Sequence, residues 1–208
     1  MPITEVTHPL VQHKLSYLRD RSTPTVHFRK LVEEVTLLLT YEATKDFPTE
    51  PVEVETPLEV ASMPRISGKK VAVCPILRAG LGMLDGVLDL ISGARVGFIG
   101  LYRNEETLQP VEYYVKLPQD VAERNVILLD PMLATGNSTA HAVRVVREAG
   151  ASSVILIAII AAPEGVERVL SEFPDVRIVV AAVDRGLNER GYIVPGLGDA
   201  GDRIYGTK

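Results

Sequence analysis

The chain has 208 residues, enough for one large domain with a substantial core, and its 22 basic and 27 acidic residues give a net charge of −5. The two signs are interspersed, so composition carries no nucleic-acid footprint, and the longest apolar run, residues 154–162, is too short to cross a bilayer. A single cysteine, Cys74, excludes an internal disulfide; with an amino-terminal stretch that lacks a basic targeting region, it fits a cytoplasmic protein.

Residues 9–47 carry apolar positions at helical spacing, with Leu15 and Leu18 in one stretch, then Phe28, Leu31, Val32, Val35, Leu38 and Leu39 on one face of a longer one. They predict two helices acting as a packing layer or cap. Residues 48–64 are rich in Pro, Glu and Thr, and the alternation of Val52, Val54 and Leu58 predicts a short edge strand with loops. From residue 71 the rhythm changes. Apolar runs at 71–76, 96–101, 126–129, 154–161 and 178–183 read as strands, with helical stretches near 82–92, 138–149 and 164–172 between them. Such alternation predicts an α/β fold, a mostly parallel sheet flanked by helices. Residues 110–118 read as a β-arm bounded by prolines. An isolated hairpin would leave Tyr113 and Tyr114 half wet, so contact with a second copy, giving a homodimer or dimer-based homo-oligomer, is expected. No repeat or linker marks a second domain, and residues 1–208 read as one.

The most informative segment is 126–138, Val-Ile-Leu-Leu-Asp-Pro-Met-Leu-Ala-Thr-Gly-Asn-Ser. Its apolar run predicts a buried parallel strand ending at Asp130, the end at which open α/β sheets bind ligands. Ala142, Val143, Val146 and Ala149 then fall at helical spacing until Gly150. A helix therefore begins inside the loop. Its first amides lack intrahelical acceptors and suit a phosphate, with the hydroxyls of Thr135, Ser138 and Thr139 as further donors. The bland alternative is an ordinary capped helix. A P-loop is excluded, because it needs Lys after its last Gly and Asn137 follows Gly136.

Residues 75–82, Pro-Ile-Leu-Arg-Ala-Gly-Leu-Gly, repeat the order of buried strand, loop and helix. Arg78 offers a planar fork of donors suited to diphosphate oxygens, and Ala79, Gly80 and Gly82 let a ligand approach the backbone. Arg103 follows a strand and precedes the polar stretch 104–109, which reads as able to close over a substrate; a surface ion pair with Glu105 or Glu106 is the alternative. Residues 192–202 contain a literal G-x-G-x-x-G from Gly196 to Gly201. A dinucleotide fingerprint needs a helix after the glycines and an acid about twenty residues further on, and only seven residues remain here. The turn instead exposes backbone N–H and C=O groups to a flat ligand. His8, His13, His27 and His141 show no metal-ligand spacing, so no protein metal site is expected and His141 is given no role. No G-x-S-x-G elbow supports a nucleophilic serine.

Residues 130–138, Asp-Pro-Met-Leu-Ala-Thr-Gly-Asn-Ser, resemble the loop of the type I phosphoribosyltransferases that holds 5-phosphoribosyl 1-diphosphate (PRPP), in the wording of the uracil phosphoribosyltransferase branch. Residues 192–202 carry the second specific match, and the resemblance covers nearly the whole chain. It implies the type I phosphoribosyltransferase fold with a C-terminal hood over the base. It implies that Arg78, Arg103, Asp130, Pro131, Met132, Leu133, Ala134, Thr135, Gly136, Asn137, Ser138 and Asp199 bind PRPP. By the same resemblance, Ile193, Gly198, Asp199 and Ala200 contact uracil, and Arg103 and Asp130 are the catalytic residues. Uracil presents acceptor, donor, acceptor along O2, N3–H and O4; cytosine puts an amino donor in place of O4, so a fixed backbone pattern can separate them.

Most type I phosphoribosyltransferases carry two adjacent acids where this chain has Asp130 and Pro131, so schemes using a carboxylate pair are in doubt. The uracil branch shares the Asp-Pro wording. The implied cofactor is Mg2+, held mainly through PRPP and water with no protein ligand. The implied reaction converts uracil and PRPP to UMP and diphosphate in UMP salvage. A GTP effector belongs to parts of the family, and no residue here marks its site. Two alternatives stand beside this reading: a PRPP-sensing nucleic-acid-binding regulator of the same fold, which the net acidity disfavours, and a phosphoribosyltransferase for another nucleobase.

Overall fold

The computed structural model describes residues 2–68, 71–103 and 110–207; the side chains of Arg103 and Pro110 and all of residues 104–109 lie outside the described residues. In chain order the elements are β1 (Ile3–Glu5), α1 (Pro9–Arg19), α2 (Thr25–Ala43), β2 (Thr49–Glu55), β3 (Val60–Ile66), β4 (Val71–Leu77), α3 (Leu84–Leu90), β5 (Arg95–Val96), β6 (Phe98–Arg103) and β7 (Pro110–Lys116). There follow β8 (Asn125–Leu129), β9 (Met132–Leu133), α4 (Asn137–Glu148), β10 (Ser153–Ala161), α5 (Pro163–Glu172), β11 (Arg177–Val183), β12 (Gly186–Leu187), β13 (Ile193–Val194) and α6 (Ala200–Tyr205). The main sheet runs β1-β11-β10-β8-β4-β6-β7, with β5 joined to β4 and β9 to β10. The pairs from β1 through β6 are parallel and β7 joins β6 antiparallel. Parallel pairing brings the carboxyl ends of β4, β6, β8, β10 and β11 to one edge, and the site forms there.

Alternation along β8 and the first half of β10 sorts their residues between two cores. Ile127, Leu129, Ile155 and Ile157 pack against α1, α2, α3 and α6, while Val126, Leu128, Val154 and Leu156 pack against α4 and α5. Helix α2 buries Phe28, Val32, Val35 and Leu39 completely, a spacing of four, three and four. Burial of each such side chain contributes roughly 1.5–3 kcal/mol. Its buried Thr36 and Thr40 hydroxyls donate to Val32 O and Thr36 O, so no polar group is stranded there. Among the described residues no helix is long and apolar enough to cross a membrane.

The expected mostly parallel α/β sheet is present with its β-arm, and two local expectations, at residues 48–64 and 96–101, need correction. Residues 48–64 do not form an edge strand of the main sheet; β2 and β3 pair with each other as a separate hairpin, with Pro51 opposite Pro64. Two facing prolines donate nothing, which suits an exposed two-stranded element. The run 96–101 is broken at Gly97, where an added Cβ would lie 2.9 Å from Cys74 Sγ and 3.0 Å from Lys116 O. Three residues at the start, β1, add an edge strand beside β11, too short to show any period. The β-arm is an edge strand on β6 with Tyr113 and Tyr114 half exposed, and His141 Nε2 lies 3.1 Å from Glu112 Oε2, tying α4 to it. Cys74 is buried as expected, and burial pushes its thiol up to about 12.

Candidate active site

Strand β8 delivers Asp130 to the sheet edge. Its N–H donates to Ile157 O at 3.2 Å, holding it to β10, while its Oδ1 accepts from the Met132 N–H at 3.2 Å. The hydroxyl of Thr139, a buried residue in the first turn of α4, stands 3.5 Å from Oδ2. Burial lifts the Asp130 carboxyl from its ordinary 3.8 to about 6, and the two donors only partly oppose that rise. Beyond it, Met132 and Leu133 pair again with β10, and Gly136 at φ +78° turns the chain into α4. The first backbone bond of that helix runs from the Ala140 N–H to Gly136 O at 2.8 Å. The amides of residues 137–139 precede it, and Ser138 and Thr139 stand at a cradle of about 180 Å³ that Asp130, Thr135 and Gly136 also line. A side chain at Gly136 would meet Gly165 O at 2.7 Å.

Strand β4 delivers the second loop. The Leu77–Arg78 peptide is cis, and a 3-10 turn, Ala79–Met83, leads into α3. A Cβ on Gly80 would stand 2.2 Å from Leu129 O, so this turn rests directly on the end of β8 and lies beside Asp130. The Tyr205 hydroxyl donates to Arg78 O at 3.0 Å, fastening α6 to the same loop, and burial raises its pKa. The third component is the hood. Strands β12 and β13 pair antiparallel, the Val194–Pro195 peptide is cis, and Asp199 caps α6 by accepting from the Asp202 N–H at 3.0 Å. A short helix, α6, thus begins within the glycine run and contains Gly201. The dinucleotide motif remains excluded, because the strand before the glycines, β13, pairs with β12 outside the main sheet and belongs to no βαβ unit.

A larger cavity of about 450 Å³ shares Asp130, Met132 and Ala134 with the cradle and is bounded by Pro131, Asp199 and Ala200. The sequence-predicted residues therefore divide. Asp130, Pro131, Met132, Ala134, Asp199 and Ala200 line the larger cavity, and Thr135, Gly136 and Ser138 the smaller one. The side chains of Leu133 and Ile193 are buried in the core, so these two can face a ligand only through their main chain. Asn137 opens α4 without lining either cavity, Gly198 lines a neighbouring one of about 400 Å³, and the Arg78 loop reaches the larger cavity through Ala79. The backbone of Arg103 ends β6, one strand beyond β4, and its side chain lies outside the described residues.

Arg190 and Tyr192 line the larger cavity and were missed as site residues. The one available signal was position, in the turn between β12 and β13 after a strand end. Among the described residues no three His, Cys, Asp or Glu side chains form a metal cage. The carboxylates at the larger cavity are Asp130 and Asp199, a donor set that suits Mg2+ arriving on phosphate oxygens and keeping its waters.

A family model described as uracil phosphoribosyltransferase matches residues 5–207. The chain is 57% identical over 206 residues to the uracil phosphoribosyltransferase of Clostridium perfringens, covering 99% of each. It is 60% identical over 201 residues to that of Halalkalibacterium halodurans, covering 97% of this chain and 96% of the relative. A solved protein from Aquifex aeolicus superposes with a TM-score of 0.93 at 42% identity, over 98% of this chain and 97% of its own. The adenine phosphoribosyltransferase of Trypanosoma brucei, at a TM-score of 0.54 and 11% identity over 80% of this chain and 68% of its own, shares the fold alone. Agreement of this extent, end to end, with the site loops in place, shows that the chain belongs to the uracil phosphoribosyltransferase family.

Proposed function

We propose that the protein transfers the phosphoribosyl group of PRPP to N1 of uracil, releasing UMP and diphosphate. The observation that carries this reading is the meeting at Asp130 of two cavities, a small one at the start of α4 and a larger one beneath the hood. In this scheme the 5′-phosphate sits on the amides of residues 137–139 and the hydroxyls of Thr135, Ser138 and Thr139. Asp130 accepts from the ribose hydroxyls. Above about pH 7 a carboxyl titrating near 6 is ionised, so its charge faces the positive charge that grows on the sugar ring.

The C1–O bond to diphosphate breaks, the C1–N1 bond forms, and the N1 proton of uracil passes to water, so that UMP, diphosphate and one proton balance uracil and PRPP. Arg78 and Arg103 receive the charge on the leaving diphosphate. Magnesium, held by phosphate oxygens and water, would neutralise part of that charge. With Pro131 in place of a second acid, one carboxylate serves the ribose. Main-chain groups of Ile193, Gly198, Asp199 and Ala200 aim the base. The half-exposed tyrosines of β7 support self-association, and a purely monomeric elution at micromolar concentration would count against a dimer.

The function is tested by supplying the protein with PRPP, Mg2+ and, one at a time, uracil, cytosine, adenine, guanine and hypoxanthine, while nucleotide and diphosphate are measured. Uracil alone is expected to yield both products. Turnover of a purine base without turnover of uracil would overturn the assignment.

A further inference from the structure

Gly196 stands between the residues proposed to read the base, and both of its backbone groups end on one ion pair. Asp184 follows β11, where its N–H donates to Ala161 O at 2.8 Å, and its side chain is 4% exposed. Arg19, the last residue of α1, pairs with it through both ends of its fork, Nη1 to Oδ2 at 2.8 Å and Nη2 to Oδ1 at 2.5 Å. The same Nη1 donates to Gly196 O at 2.9 Å, and the Gly196 N–H donates to Asp184 Oδ2 at 2.9 Å. A closed ring of hydrogen bonds results. Gly196 itself has φ +66°, and a Cβ there would lie 2.1 Å from Ile193 O. One residue on, Leu197 O accepts from Arg203 Nη1 at 2.7 Å, while the Arg203 guanidinium lies 4.1 Å over the Phe28 ring.

Strands β12 and β13 are two residues each, too short to fix the turn that follows them. Side chains from α1, β11 and α6 fix it instead. A buried ion pair is weak evidence for stability, since apolar residues of equal volume often hold a fold as well. What apolar packing cannot do is orient an N–H and a C=O of the same residue, and reading a flat base through main-chain groups needs such orientation. Resting on the uracil reading above, we propose that Arg19 and Asp184 are positioning residues for the nucleobase. They hold residues 195–197 so that the main chain of Ile193 and of residues 198–200 keeps the donor and acceptor pattern that matches uracil.

Two variants test this. Asp184→Asn keeps size and one acceptor, but an amide oxygen at the position shared by Arg19 Nη1 and the Gly196 N–H leaves its NH2 facing Arg19 Nη2, donor against donor, so the ring cannot close. Arg19→Lys keeps the charge and loses the fork that spans Asp184 and Gly196 O. Steady-state kinetics with each substrate varied, beside thermal melts, are expected to show KM for uracil raised about tenfold or more in Asp184→Asn and several-fold in Arg19→Lys, with KM for PRPP within about twofold. If both KM values rise together, or if melting falls while KM for uracil stays put, the pair is a plain staple and the inference fails. Should Asp184→Asn not fold, Arg19→Lys decides alone, an unchanged KM for uracil overturning the proposal. A wild-type protein that makes no UMP would instead remove the uracil reading itself, and this inference with it.

Discussion

Asp130→Asn is expected to give a protein that is more stable than wild type at pH 8 and nearly inactive. The Asp130 carboxyl titrates near 6 in the fold against an ordinary 3.8, so the folded state binds its proton more tightly than the unfolded chain does. The sign follows directly. Below about pH 3.8 the group is protonated in both states and imposes no penalty; as pH rises through about 6 it must ionise in a half-buried, partly desolvated place, and stability falls. The full penalty at neutral pH is of order 3 kcal/mol, at about 1.4 kcal/mol per pH unit. An Asn side chain keeps the acceptor for the Met132 N–H and sheds the charge, so roughly 1–2 kcal/mol should be recovered, or about 2–8 °C in Tm for a chain of this size. Comparison of urea midpoints should show the gap falling by about 1.4 kcal/mol between pH 8 and pH 5, so that it nearly closes. Equal stability at both pH values, or a less stable variant at pH 8, would refute the assignment.

The same substitution removes the negative charge beside the reacting sugar. Loss of a group that stabilises transition-state charge costs about 2–4 kcal/mol, so kcat is expected to drop roughly 30-fold to 1000-fold. In the wild type, kcat/KM should decline as pH falls through about 6, because the free enzyme then loses its carboxylate. Stability and activity thus pull this one position in opposite directions, a pattern known where a strained or desolvated group serves chemistry.

How much of this was legible in advance depended on whether the relevant partners are local. The strand, acid and hydroxyl-rich loop from Val126 to Ser138 carry their own periodicity and helix-start signals, and β8, Asp130 and α4 stand where those signals put them. The desolvation of Asp130 was not legible, because it is imposed by residues packed from elsewhere. The space at Gly97 is closed to a side chain by Cys74 and Lys116 O, and no window around residue 97 contains either. The pair of Arg19 and Asp184 spans 165 positions and acts on a third segment, so nothing in the chain order joins them. Arg190 and Tyr192 lie in a turn, where no period marks which side chain faces the cavity.

Gly80→Ala is expected to damage both halves of the PRPP site at once. The added methyl would stand 2.2 Å from Leu129 O, 3.2 Å from Leu129 C and 3.4 Å from Pro75 C, all main-chain atoms that cannot rotate aside. Gly80 does not need the left-handed region, so the damage comes from overlap alone. Relief requires roughly an ångström of movement, either of the turn that carries Arg78 or of the Leu129–Asp130 peptide, and displacement of that order costs about 10²-fold in rate. Overpacking should also take roughly 1–3 kcal/mol from stability. Gly82→Ala is the matched control in the same loop, because the nearest atoms to its methyl are Ile204 side-chain carbons at 3.0 Å, an approach that asks for a shift of a few tenths of an ångström and not for displacement of main chain. Gly80→Ala is therefore expected to lose about 10²-fold in kcat/KM for PRPP and Gly82→Ala less than about tenfold. Near-wild-type kinetics and melting for Gly80→Ala would show that the contact between this turn and the end of β8 does not set the spacing of Arg78 and Asp130.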